Sequence, residues 1–260
     1  MSTPLPGYTP FPELRVTLEG HVASLTVLRP PHNFFDAPIL LALAEALEYL
    51  DTVPQCRAIV LTAEGKSFCA GANFNDPKNP VKPREIYLRG VRLFRTKKPI
   101  VAAVNGSAVG GGMGLTLVAD FRVVDADTRI TANFSKLSFH HGFGMTVTLP
   151  RLVGVQQASL LLQTGRRLDG AEAVRIGLAD VFAAPGKLLE EAHKLAQELA
   201  SAGPLGLQSI RQTLRLGLAE AIEQAVGREA DEQERLMTTT DFAEGIAAVG
   251  QRRAPVFTGA

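Results

Sequence analysis

Asn105-Gly-Ser-Ala-Val-Gly-Gly-Gly-Met-Gly-Leu115 is the stretch on which the reading of the fold turns. Ahead of it, Pro99 to Val104 is a short apolar run of the kind that forms a strand buried on both faces. Behind it, Met113 to Val118 begins an apolar segment compatible with a helix. Three consecutive glycines at a strand-to-helix turn remove every Cβ from the place where the helix's first N–H groups emerge. A ligand oxygen can approach such a backbone closely, and the positive end of the helix dipole favours negative charge there. Two readings stand at this point: a site for charge developing on an oxygen, or a turn that permits close packing.

Working outward, a second turn of small residues, Ala70-Gly71-Ala72, also follows an apolar strand, Ala58 to Leu61. If the two strands share a sheet, both turns lie on one edge and their N–H groups can converge. Two backbone donors on one carbonyl oxygen stabilise an enolate or a tetrahedral oxyanion. Upstream, Leu14, Val16 and Leu18 alternate with polar residues, Glu19-Gly20 turns the chain and Val22 to Leu28 returns, a hairpin pattern. Asp36 can cap a helix whose face carries Leu40, Leu43, Leu47 and Leu50. Residues 76–83 read as a surface loop and 84–95 as a helix. Downstream, 120–124 and 128–132 read as strands, and 133–145, with His140 and His141, fits no period. Helical spacing then dominates: 156–162, 170–176, 187–200, 205–221 and a last helix near Asp241, with Glu244 set for a capping box. Strand–helix alternation followed by helices alone argues an α/β fold, with residues 1–200 as its core and 201–260 as a helical region.

Composition narrows the function. The 260 residues carry 27 Lys plus Arg against 26 acidic residues, which gives no case for nucleic acid or an anionic membrane. No apolar run reaches membrane-spanning length, and the polar, proline-rich start resembles no signal peptide. Two cysteines, Cys56 and Cys69, form neither a disulfide framework nor a metal pattern, so a reducing cytoplasm is expected. No clustered metal ligands and no dinucleotide fingerprint are visible, so neither a metal nor a bound redox cofactor is expected.

Ser67-Phe-Cys-Ala-Gly-Ala-Asn-Phe74, Lys98-Pro-Ile-Val-Ala-Ala-Val-Asn-Gly106, Gly110-Gly-Gly112 and Ala119-Asp-Phe-Arg122 resemble the crotonase, or enoyl-CoA hydratase/isomerase, superfamily. So do Leu168-Asp-Gly-Ala-Glu-Ala-Val-Arg-Ile-Gly-Leu178, Asp241-Phe-Ala-Glu-Gly-Ile246 and Arg253-Ala-Pro-Val-Phe257, and the resemblance runs in order over residues 12–260. It implies a spiral of ββα units, a helical C-terminal trimerisation region, and a homotrimer or a dimer of trimers. It also implies an acyl-CoA substrate, coenzyme A entering only as part of the thioester, with Ala72 and Gly111 as the carbonyl's backbone donors. Ala70, Gly71, Asn73 and Gly110 would line the substrate, and Arg253 and Phe257, with Lys98 and Arg252, would meet the nucleotide.

The family's hydratase chemistry uses two glutamates, whose positions here fall at Gly114 and Ser138. Glycine has no proton to give, and a serine hydroxyl without a partner is a weak base near neutrality. A dehalogenase branch places an aspartate nucleophile where this chain has Gly142. The remaining titratable candidates are His140 and His141, of which an extended segment would point only one inward. The expectation is an enzyme that stabilises a thioester enolate without the glutamate pair: an isomerase, hydrolase, decarboxylase or weak hydratase. The competing expectation is an acyl-CoA-binding or assembly subunit without activity.

Overall fold

The computed structural model describes Gly7, residues 9–76 and residues 80–260. The centre of the expected surface loop, residues 77–79, and most of the proline-rich start lie outside the described residues.

The chain opens with the antiparallel hairpin β1 (Leu14–Glu19) and β2 (Val22–Val27), then crosses through α1 (Ala37–Thr52) to β3 (Ala58–Ala63), which pairs parallel with β2. Asp36 caps α1, its carboxylate accepting from the Ile39 amide at 3.0 Å. From here each turn of chain lays down two strands, one in each of two sheets. β3 is followed by β4 (Ser67–Cys69), and α2 (Pro83–Leu93) leads to β5 (Ile100–Ala103) and β6 (Ser107–Val109). The short helix α3 (Gly111–Thr116) leads to β7 (Phe121–Val124) and β8 (Arg129–Thr131). A 3₁₀ turn (Asn133–Leu137), α4 (Met145–Val153) and α5 (Val155–Thr164) precede β9 (Arg167–Asp169), α6 (Gly170–Arg175) and β10 (Val181–Phe182). The larger sheet runs β1-β2-β3-β5-β7-β10 and the smaller β4-β6-β8-β9. This is the spiral expected from the resemblance. Helices α7 (Leu188–Ser201), α8 (Pro204–Leu214), α9 (Leu218–Leu236) and α10 (Thr240–Gly250) follow.

Several local expectations are revised. The quoted stretch contains a strand of its own, β6, too short for alternation to reveal. The helix after the glycines has only six residues, because Leu117 to Asp120 turn back into β7. The helical run from 205 divides at Gly217, where φ is +74°, into α8 and α9. Thr239 rather than Asp241 caps α10, and Glu244 pairs with Arg253 instead of closing a capping box.

One buried cation ties the centre together. Arg122 is 1% exposed and donates to the carbonyls of Leu178 (2.7 Å), Ala119 (2.9 Å) and Thr116 (3.4 Å), and to Asp180. A guanidinium with its donors satisfied in this way tolerates burial that an unpaired charge would not. Asp120 beside it accepts from the Ile100 amide, Arg211 and Arg215, fixing α8 to the start of β5. Lys98 is buried as well, its ammonium donating to the carbonyls of Leu50 and Val53 at the end of α1.

Candidate active site

The two small-residue turns follow β4 and β6, which are adjacent and parallel, so both leave the same edge of the smaller sheet. A Cβ built on Gly71 would lie 2.9 Å from the Val109 carbonyl oxygen, 3.5 Å from the Gly111 nitrogen and 3.8 Å from the Gly112 nitrogen. The turns therefore touch through bare backbone. Gly71 has φ of +82°, which a side chain rarely adopts. The first turn is held from the other side too: the Phe35 amide donates to the Gly71 carbonyl at 2.9 Å, and the Ala70 amide to the His32 carbonyl at 2.9 Å.

Each residue of the glycine triplet has its own task. Gly110 makes the left-handed turn into α3, at φ +55°. Gly112 lies against the Cys69 carbonyl, where a Cβ has no room. Gly111 lies under the Phe35 ring and is the first residue of α3, so helix geometry leaves its N–H without an intrahelical partner. The close-packing reading of the triplet therefore holds at Gly112, while Gly111 presents a helix-start amide. The six-residue helix has little dipole to offer, and what it supplies is the placement of an amide.

Around this point lies a cavity of about 200 Å³. Ala70, Gly71, Ala72, Asn73, Gly110 and Gly111 all line it. So do Tyr87, Asn133 and the rings of Phe74, Phe134 and Phe139, which sequence reasoning did not single out. The signal for Tyr87 was an aromatic on the apolar face of α2; for Asn133 it was a polar residue directly after a buried strand. A larger groove of about 690 Å³ adjoins it, sharing Phe34, Phe35, Asn73, Val81 and Ile86 as walls. Arg29 and Lys82 are the cations of this groove; Arg29 pairs with Asp36 at 2.9 Å and Glu13 at 3.1 Å.

Gly114, Ser138, His140, His141, Arg253 and Phe257 are not among the residues lining either space. Gly114 is covered by Phe143: a Cβ on Gly114 would lie 2.5 Å from the Phe143 Cβ and 2.8 Å from its Cγ. Phe143 is 2% exposed, holds φ of +64°, and packs its ring against Phe35, Tyr87 and Phe94. Gly142 is covered in turn by the Tyr87 hydroxyl. Ser138 ends the 3₁₀ turn in a left-handed conformation, φ +52°. Arg253 pairs with Glu244, and Phe257 is 40% exposed.

The histidine segment is clamped by α9. Tyr87 Oη donates to Gln233 Oε1 at 2.8 Å, and Gln233 Nε2 donates to the His140 carbonyl at 2.7 Å. Burial pushes the Tyr87 pKa above the ordinary phenol value, so the hydroxyl stays neutral. Glu229, 1% exposed, accepts from the Gly144 amide (2.8 Å), the Thr146 amide (3.0 Å) and the Thr146 hydroxyl (2.6 Å). Burial nevertheless raises its pKa against those donors. The rings of His140 and His141 stack at 4.2 Å, and His141 Nε2 meets Thr146 Oγ1 at 2.9 Å.

Burial, and then the neighbouring His140, lower the His141 pKa from 6.5 to about 4. The unfolded chain thus takes up a proton that the folded chain refuses over this window. Stability from His141 is complete above pH 6.5 and falls as the pH drops towards 4, by up to about 3 kcal/mol. Glu229, 3.9 Å away and with a raised pKa, contributes in the opposite sense, so comparison with a variant isolates the histidine. Denaturant titrations of the native chain and His141→Gln at pH 7 and pH 5 are expected to show the larger acid loss in the native chain. Equal losses would mean that His141 takes up its proton as readily in the fold as outside it.

Among the described residues no group of three or more His, Cys, Asp or Glu is placed to hold a metal, and no helix is long and apolar enough to cross a membrane.

Comparison with known proteins agrees with this architecture. The sequence profile of the enoyl-CoA hydratase/isomerase family matches residues 17–260. A putative enoyl-CoA hydratase of Thermus thermophilus is 36% identical over 249 residues, covering 92% of this chain and 98% of the relative. The (E)-benzylidenesuccinyl-CoA hydratase of Thauera aromatica is 35% identical over 254 residues, covering 94% and 99%. The crystal structure of an enoyl-CoA hydratase from Mycobacterium avium subsp. paratuberculosis superposes with a TM-score of 0.85 at 28% identity, covering 96% of this chain and all of that one. With the profile spanning nearly the whole chain and the fold shared end to end, the protein belongs to the enoyl-CoA hydratase/isomerase family of the crotonase superfamily.

Proposed function

We propose that the chain acts on an acyl-CoA thioester, gripping its carbonyl oxygen between the N–H groups of Ala72 and Gly111 and so stabilising the enolate. The observation that carries this reading is the meeting of the two turns at Gly71, where an added Cβ would lie 3.5 Å from the Gly111 nitrogen. Among the described residues no carboxylate or histidine lines the cavity, so an α-proton passes to water. As it does so, or as the bond from the α-carbon to a carboxylate group breaks and releases CO₂, the electron pair moves onto the oxygen and both donors strengthen. The larger groove adjoins the smaller cavity and is assigned the CoA portion by position, its cations Arg29 and Lys82 standing among Glu13, Asp36, Asp76 and Glu85, and the smaller cavity is assigned the acyl group. No cofactor beyond coenzyme A within the substrate is invoked.

The chemistry departs from a two-glutamate hydratase. Phe143 and Tyr87 fill the space beside Gly114 and Gly142, so an acid is kept from those places by rings as well as by residue type. His140 and His141 line neither space, so neither is assigned the proton transfer. The same filling favours a second reading, a subunit that binds acyl-CoA without turning it over. Exchange of α-protons in D₂O, followed by NMR across a panel of acyl-CoAs, separates the two. Exchange above the solvent rate is expected; tight binding without exchange would leave the binding subunit standing.

A homotrimer or a dimer of trimers is part of the proposal, with residues 201–260 as the helical region that assembles on a core of residues 1–200. Leu205 (82% exposed), Ile210, Leu214 and Leu216 (83%) leave an apolar strip along and just past α8, of the kind that subunits cover. A cytoplasmic location is likewise proposed. Cys56 and Cys69 are free and buried, and burial pushes their thiols up to about 11 and about 12, which suits structural rather than redox roles.

A further inference from the structure

We infer that the acyl group this site selects is aromatic: a ring placed a short distance from the thioester carbonyl. The inference rests on the acyl-CoA reading above and adds the substrate class to it.

Three phenylalanines that pack on one another, Phe74, Phe134 and Phe139, line the cavity together with Phe35 and Tyr87. They come from four separate parts of the spiral, so no single amphipathic pattern produces the arrangement. The rings are locked against one another. Phe74 stands edge-on to Phe139 at 5.5 Å and 87°, and edge-on to Phe242 of α10 at 5.4 Å and 78°. Phe139 and Phe242 pack at 4.7 Å, and Phe134 lies nearly parallel to Phe139 at 6.4 Å. A wall of fixed rings presents alternating faces and edges, whose quadrupoles favour another ring in offset or edge-to-face contact. An alkyl chain gains the same desolvation without that directional term.

Size points the same way. At about 200 Å³ the cavity is smaller than the roughly 300–1,000 Å³ of pockets that enclose a drug-sized ligand. A flat compact group fills such a space, whereas a long chain must fold or leave it. Side-chain hydrogen bonding within the cavity is supplied by asparagines and Tyr87, with no charged residue among its lining. The acyl end is thus expected to be uncharged.

The test is competitive titration of the full-length protein with cinnamoyl-CoA, nonanoyl-CoA, which has the same number of acyl carbons, the cyclohexyl analogue of cinnamoyl-CoA, and free CoA. Cinnamoyl-CoA is expected to bind about tenfold tighter than nonanoyl-CoA and several-fold tighter than the cyclohexyl analogue. Phe139→Leu, which keeps the site apolar, is expected to reduce that preference about threefold. Phe74→Leu, at a half-buried position, serves as the second variant should Phe139→Leu fold poorly. Nonanoyl-CoA binding as well as cinnamoyl-CoA would overturn the aromatic assignment while leaving the acyl-CoA reading intact. Equal binding by the cyclohexyl analogue would overturn it too, by showing selection for ring shape alone. If no thioester binds better than free CoA, the acyl-CoA reading itself fails.

Discussion

Gly71→Ala is expected to lower α-proton exchange by a factor of about 100 to 1,000 while the protein stays folded, because its methyl group would wedge the two donor turns apart. The added Cβ meets the Val109 carbonyl oxygen at 2.9 Å and faces the Gly111 nitrogen at 3.5 Å. It also imposes a side chain on a residue at φ +82°. The conformational and packing cost is about 1–3 kcal/mol, small enough for a chain of this size to survive. The loss of rate has a different origin: a shift of a few tenths of an ångström at Gly111 spoils a donor aimed at the oxyanion. Thermal unfolding and exchange kinetics on the same preparation distinguish the two effects. A folded variant that exchanges at the native rate would remove the oxyanion site from this pair of turns.

Gly114→Glu, the substitution that writes the family's first glutamate back into the sequence, is expected to damage the fold rather than create a hydratase. Its Cβ alone would press on Phe143 at 2.5 Å, and the carboxylate would have to enter a cluster formed by Phe35, Tyr87, Phe94 and Phe143. Overpacking and an unpaired buried charge together cost about 3–5 kcal/mol. The thermal midpoint should then fall by about 10 °C. Adding Phe143→Gly removes the obstructing ring and places glycine where φ is +64°, but it also empties a buried ring site and leaves the carboxylate unpaired. The double variant should therefore lose less stability than the two single variants added together. Calorimetry on the native chain, both single variants and the double variant checks this. Losses that simply add would show that Phe143 is not what fills the glutamate's place.

The parts of the fold readable from the residues were those with strong local rules. The hairpin, the capped α1 and the strand before the glycines follow from alternation, a cap and an apolar run, and each depends on near neighbours in sequence. Two- and three-residue strands such as β6, β9 and β10 carry too few residues for any period, and only pairing with distant strands makes them strands. At the site, the two meeting turns were visible because glycine reports where backbone must be bare. What fills the remaining space was not visible. Nothing in the sequence around Phe143 says that its ring folds over Gly114, nor that Glu229 and Gln233, on a helix far along the chain, hold that segment in place. The space beside Gly114 looked like a vacancy; the Phe143 ring fills it.

Arg122 bears on the proposed reaction from the opposite end of α3. By holding the carbonyls of Thr116 and Ala119, it anchors the tail of the six-residue helix whose first amide is Gly111. A helix this short could recoil when an electron pair shifts onto the oxygen in front of it. With its rear bolted to a buried guanidinium, it is braced as a stiff strut, which is what the proposed chemistry asks of the Gly111 amide.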